Sequence, residues 1–322
     1  MNLTQIRQEA QQKLQENEST FRKPVLIHAA GIAGVSLLLL LISYLAQSFS
    51  TQGGLSNMGT QNLLSTAQTL LQMVNIIALP FWNAGLIFCA LRMLRRKEHS
   101  GATLMEGFRR WGPIAGSLLY RGVIYFLVIM GCYFLSSIAI SMLPLPTSLI
   151  NSLVAFVEKP VFPLSTDVLI YLGICMAVYL ISMCVLLIPK MYLHRLSVYQ
   201  IMDDVPCGGF QSVMHSSYLM KGHRKNLFLL DLSFWWFYLI EFLISLLSMG
   251  DLILTAFGIS LPFSAQTAAL LFPILGLLVR LVLYYYAQPI LSATYAVFYE
   301  KISQEHTNNQ APVDPKPMPW KF

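Results

Sequence analysis

The chain has 322 residues, 56% hydrophobic and only 11% charged, with a mean hydropathy of +0.60 and a formal net charge of +6 at pH 7. Soluble domains carry about a quarter charged residues, so a soluble globular protein is excluded. Apolar runs use up the length and read as one polytopic membrane domain, in which the positive charge reports orientation and attraction to anionic lipid rather than nucleic-acid binding.

Residues 1–24 are polar and alternate in charge, with no short apolar core followed by a cleavage site. They read as a retained cytoplasmic amphipathic segment that meets the membrane at Phe21, Arg22 and Lys23. A first span is expected over about 25–47, where Ala29, Ala30, Gly31, Ala33 and Gly34 would let another helix approach closely. The second, about 70–94, contains Pro80 and two asparagines, Asn75 and Asn83, suited either to interhelical hydrogen bonds or to a ligand. It ends on the basic stop Arg92, Arg95, Arg96 and Lys97. Residues 102–111, ATLMEGFRRW, read as an interfacial amphipathic helix with Trp111 at headgroup level, broken by Gly112 and Pro113.

The third span, about 114–142, is long enough to tilt. The nearly uncharged, proline-containing connection after it is expected on the outer surface, with an interfacial or re-entrant piece around 149–157. The fourth span, about 168–188, continues into a cytoplasmic segment through His194, Arg195, Tyr199, Asp203 and Asp204, which breaks at Pro206 to Gly209. From His215 to Leu239 a short polar helix with a basic end runs directly into a fifth span, about 227–247. The sixth, about 268–288, continues as helix to Tyr299. Residues 303–322, rich in Asn, Gln and Pro, read as a disordered cytoplasmic tail.

All Lys and Arg except Lys159 and Arg280 fall in the terminal segments and the two inner loops. The expected architecture is therefore all-α: a polytopic transmembrane bundle, six spans with interfacial amphipathic helices, both termini cytoplasmic by the positive-inside rule. Within it, Leu104-Met105-Glu106-Gly107-Phe108-Arg109-Arg110 matches Leu219-Met220-Lys221-Gly222-His223-Arg224-Lys225, each before an outward span. A parallel internal repeat is one reading and chance similarity between two basic interfacial helices is the other.

Ionisable groups inside spans cost roughly 2.5–3.5 kcal/mol at the bilayer centre and so draw attention. Three are singled out: Asp231, Glu241 and Arg280. Counted at about 1.5 Å per residue from the expected inner ends, Asp231 and Arg280 lie at similar depth and are expected to pair. Glu241 is farther out and reads either as a carboxylate on a polar pathway or as a structural group hydrogen-bonded to a neighbour. Arg109, Arg110, Lys221, Arg224 and Lys225 form a candidate lipid headgroup surface, or a topology anchor without a specific ligand. Five cysteines without CxxC spacing point to no disulfide framework or zinc site, and no HExxH, GxSxG, P-loop, GxGxxG or EF-hand pattern occurs. No catalytic residue, metal or cofactor is expected.

Ser216-x-x-Leu219-Met220-Lys221-Gly222, followed by Leu227-Phe228-x-Leu230-x-Leu232-Ser233-Phe234, resembles the membrane-protein family called domain of unknown function 975. The closing pattern Pro289-x-x-x-Ala293-Thr294-x-Ala296-x-Phe298-Tyr299-Glu300 resembles the same family, with departures at Trp236-Phe237 and Ile290. The resemblance implies a six-helix bacterial plasma-membrane protein without an established activity. A looser similarity to the membrane domain attached to some glycerophosphodiesterases hints at lipid-related biology. The expected function is that of a non-enzymatic scaffold or accessory protein whose partners are membrane lipids, anionic ones included, or an unidentified protein, and not nucleic acid. The alternative is a small transporter or channel using Glu241, Asp231 and Arg280.

Overall fold

A computed structural model describes residues 3–51, 57–97, 100–142, 166–203, 207–250, 254 and 265–309. The surface piece expected at 149–157, Lys159, Asp204, Pro206 and residues 310–322 lie outside the described residues. Among those described, every regular element is helical: α1 (Leu3–Glu16), α2 (Glu18–Thr51), α3 (Asn57–Leu94), a 3-10 turn (Gly101–Met105), α4 (Glu106–Arg109), α5 (Trp111–Ser141), α6 (Thr166–His194), α7 (Ser197–Met202), α8 (Gly209–Leu219), α9 (Arg224–Ser233), α10 (Trp235–Ser248) and α11 (Ala265–Asn309).

Among the described residues, five stretches are long and apolar enough to cross a membrane: Ser19–Leu45, Asn62–Leu94, Trp111–Ser141, Gly173–Met202 and Leu270–Asn308. A sixth qualifies only when α9 and α10 are taken together, bent by 58°. The 14 residues of α10 reach about 21 Å, short of the roughly 30 Å hydrocarbon core, so α9 must contribute. The fifth span, expected as one long apolar helix over about 227–247, is thus broken at Phe234. Phe234, at φ −105° and ψ 19°, leaves the helical conformation. Its ring is almost wholly buried, and the Arg7 guanidinium lies 5.3 Å from its centroid. Burying this aromatic turns the chain, and hydropathy alone carries no signal of such a turn.

The core gathers at the basic end of the bundle rather than at mid-membrane. Ile6, Phe21, Leu91, Met93, Leu104, Ile114, Ile201, Met220, Leu230, Phe298 and Ile302 are all fully or almost fully buried there. Along the spans, Leu38, Leu70, Ile76, Leu127, Ile181 and Leu243 stay exposed. Lipid tails are as apolar as leucine, so nothing drives these side chains inward. Small and polar residues hold the spans in pairs instead. A Cβ on Gly31 would lie 2.9 Å from the Trp82 ring, His28 Nε2 donates to Asn83 Oδ1 at 2.9 Å, and Gln68 Nε2 donates to Ser43 Oγ at 2.8 Å, joining α2 to α3. Ser136 Oγ donates to Ser182 Oγ at 3.3 Å between α5 and α6. A Cβ on Gly276 of α11 would lie 2.3 Å from Ser248 Oγ of α10.

Helix α11 passes Pro289 without ending and runs to Asn309, so residues 303–309, expected in a disordered tail, are helical. Packing sustains this extension: Ile302 is fully buried, and the His306 ring lies 5.2 Å from that of Tyr218. Helix α1 returns along α11, where Lys301 Nζ meets Glu9 Oε2 at 2.7 Å. Both described ends of the chain therefore lie at the basic face. The two LMxGxR[RK] stretches fold differently. Gly107 lies in α4 where a Cβ would come within 2.0 Å of the Phe81 carbonyl oxygen, whereas Gly222 forms an open turn at φ +91° between α8 and α9. One glycine permits a backbone crossing and the other a left-handed turn.

Candidate site at the membrane boundary

Asp231 sits near the end of α9 with its side chain largely buried, and three groups, from α6, the turn just after it and α11, converge on it. Arg195 forms an ion pair with Oδ2, to which Tyr192 also donates at 2.8 Å, and Tyr295 donates to Oδ1 at 2.5 Å. The Arg195 guanidinium lies 4.6 Å from the Tyr295 ring centroid. A carboxylate taken out of water needs charge compensation and filled lone pairs, and this set supplies both. It ties α6, α9 and α11 together beside the bend.

Arg280 is not part of that set. It pairs with Glu241, Nε to Oε2 at 3.1 Å, across α10 and α11. The expected Asp231–Arg280 pair is thus replaced by two pairs, Asp231–Arg195 and Glu241–Arg280. The register is fixed by Gly276 against Ser248 and by the Phe237–Tyr284 ring contact, which bring Glu241 opposite Arg280. Moving Asp231 there would require a slide of the ten residues separating it from Glu241, about 15 Å. Depths counted from Pro289 fail because α11 does not end near it.

A second network centres on Arg95, just past the end of α3. Its Nη1 meets Asp203 Oδ1 at 2.6 Å and its Nε meets Glu300 Oε1 at 2.8 Å, while Tyr299 donates to Asp203 Oδ2 at 2.7 Å. Burial penalises the Arg95 charge, but hydrogen bonds and attraction from the two carboxylates outweigh this and hold its pKa above the ordinary arginine value. Arg110 adds hydrogen bonds from Nη1 to the carbonyl oxygens of Ile201 (2.6 Å) and Asp203 (2.8 Å) and packs over Phe88.

Arg110 therefore faces the protein and is withdrawn from the candidate headgroup surface. Arg109, Lys221, Arg224 and Lys225 are exposed, Arg109 with 82% of its side chain accessible. They lie on two separate segments, each before an apolar span. Sequence reasoning did not single out Arg195, Tyr192 and Tyr295 as the partners of Asp231, or Arg95, Asp203 and Glu300 as a hub. One signal was available: Tyr295, Tyr299 and Glu300 share a helix with small Ala293 and Ala296, polar reach on a face otherwise cut back for close packing. Among the described residues, no group of three or more His, Cys, Asp or Glu side chains is placed to hold a metal ion.

The fold and these networks define a multi-pass α-helical membrane protein whose charged side chains bind helix to helix. A family model described as "Protein of unknown function (DUF975)" matches residues 1–306, and the chain belongs to that family. No curated protein and no solved structure matches it.

Proposed function

We infer that this chain is a non-enzymatic scaffold or accessory protein of the bacterial plasma membrane, acting through lipid or protein contacts at its cytoplasmic face. The observation carrying this reading is the pairing of both span carboxylates with arginines on neighbouring helices, Asp231 with Arg195 and Glu241 with Arg280. Paired in this way they staple helices, whereas a conducting carboxylate needs an open, hydrated approach. The core and the Arg95 hub add rigidity at the same end, beside exposed Arg109, Lys221, Arg224 and Lys225. Such basic side chains contribute about 1 kcal/mol each toward an anionic leaflet.

Native mass spectrometry of the protein after gentle extraction tests this. The expected result is a reproducible protein partner or retained anionic lipid. Bare protein, together with ion or solute flux in liposomes that Glu241→Gln abolishes, would overturn it in favour of a transporter.

A further inference from the structure

Where the span in α2 begins and that of α3 ends, a cavity of about 720 Å³ opens at the basic face, a volume in the range of about 300–1,000 Å³ usual for ligand pockets. Its lining brings together Arg92, Arg96, Lys97, Ser100 and Thr103, with Glu16 of α1 on the far wall. Among the described residues of the lining, three cations face one carboxylate. Glu16 meets Arg96 only at 3.7 Å, with 74% of the arginine side chain exposed, so this screened contact neutralises little.

Two independent features indicate that the cations are held for a ligand. Arg92 lies over the Phe88 ring, its guanidinium 5.1 Å from the centroid, and its Nε is buried without a hydrogen-bond partner. A buried donor of this kind is uncommon unless something accepts from it. The second feature is the backbone at Arg96, whose φ of +53° falls in the left-handed region. The end of α3 is a Schellman turn, with Lys97 N–H donating to Arg92 C=O at 2.9 Å and Arg96 N–H to Met93 C=O at 3.1 Å. Glycine is the usual residue at that position because it has no Cβ to clash. An arginine held there is strained, and strain of this kind clusters at functional sites. The turn places Arg92, Arg96 and Lys97 around one cavity.

We propose that this cavity binds a phosphate ester, its oxygens accepting from Arg92, Arg96 and Lys97. The membrane-level opening suits a phospholipid headgroup, and a soluble glycerophosphate offers the same chemistry. The assignment deepens the lipid-contact reading above and rests on it, but uses residues distinct from the exposed Arg109, Lys221, Arg224 and Lys225.

The test is native mass spectrometry of the full-length protein in mild detergent, titrated with phosphatidylglycerol and separately with phosphatidylcholine, with glycerol phosphate as competitor. The wild type is expected to prefer phosphatidylglycerol. Arg96→Gly relieves the turn, so it should unfold at the same temperature as the wild type or higher while binding phosphatidylglycerol about fivefold more weakly, the equivalent of one interfacial cation. Arg92→Gln with Lys97→Gln should lose more than tenfold. Competition by glycerol phosphate at comparable concentration identifies a soluble ester as the source, and binding of the lipid alone identifies the membrane; either supports the pocket. A folded Arg96→Gly protein that retains phosphatidylglycerol like the wild type overturns it. If retention then falls instead on replacing Arg109, Lys221 and Arg224 with Gln, the pocket fails while the lipid-contact reading stands. If the wild type binds neither compound, the pocket fails, and co-purification of a protein partner decides the broader reading separately.

Discussion

Asp231 shows what one carboxylate needs in order to stay near a membrane boundary. Arg195 supplies charge, and two tyrosine hydroxyls donate one hydrogen bond to each of the carboxylate oxygens. Removing one partner leaves the other uncompensated, which makes the pair strongly coupled. In a double-mutant cycle, Asp231→Asn and Arg195→Gln should couple by about 1–3 kcal/mol, whereas Asp231→Asn and Arg280→Gln should add within about 0.5 kcal/mol. Thermal unfolding in detergent reads both, and coupling to Arg280 in place of Arg195 would contradict the observed pairing. That a charge in an apolar run needs a partner was legible in the sequence. Which partner it takes was not, because depth counted along a straight helix ignores the bend at Phe234 and the register set by Gly276.

At the level of elements, close backbone crossings decide where the interfacial segments sit. Gly85 of α3 faces the Leu104 carbonyl and Gly107 of α4 faces the Phe81 carbonyl, each with only 2.0 Å available to a Cβ. Backbone cannot give way as a side-chain tip can, so Gly107→Ala should cost at least the roughly 1–3 kcal/mol typical of overpacking. Gly34→Ala is the control. Nothing lies within 4 Å of a Cβ at Gly34, and the change should be neutral within about 0.5 kcal/mol by the same melts. The helices themselves were legible from apolar length and basic stops. Less so was the end of α11: polar residues after Ser303 read as a tail, yet Ile302 is buried and His306 packs on Tyr218 of α8, which prolongs the helix. A local composition rule cannot register a tertiary contact, and of the two readings of the LMxGxR[RK] match the different surroundings of its two glycines favour chance similarity.

Across the whole molecule, burial and charge are concentrated at one end. Helix α1, the far end of α11, the Arg95 hub and the exposed basic segments share that face, while spans present leucine, isoleucine and phenylalanine to lipid beyond it. The distribution of Lys and Arg is the basis on which we propose that this face is cytoplasmic. A scaffold requires that sidedness, because the rigid, basic surface must meet its partners and the anionic leaflet together.

Cysteine accessibility in intact cells tests this sidedness directly. In a variant lacking the five native cysteines, single cysteines at Gln8, Lys221, Asn308 and Met142, all exposed positions, would be treated with a membrane-impermeant maleimide. The expected result is labelling of Met142→Cys from outside, with Gln8→Cys, Lys221→Cys and Asn308→Cys labelled only after permeabilisation. Labelling of any of these three in intact cells would place the basic face outside and contradict a cytoplasmic scaffold.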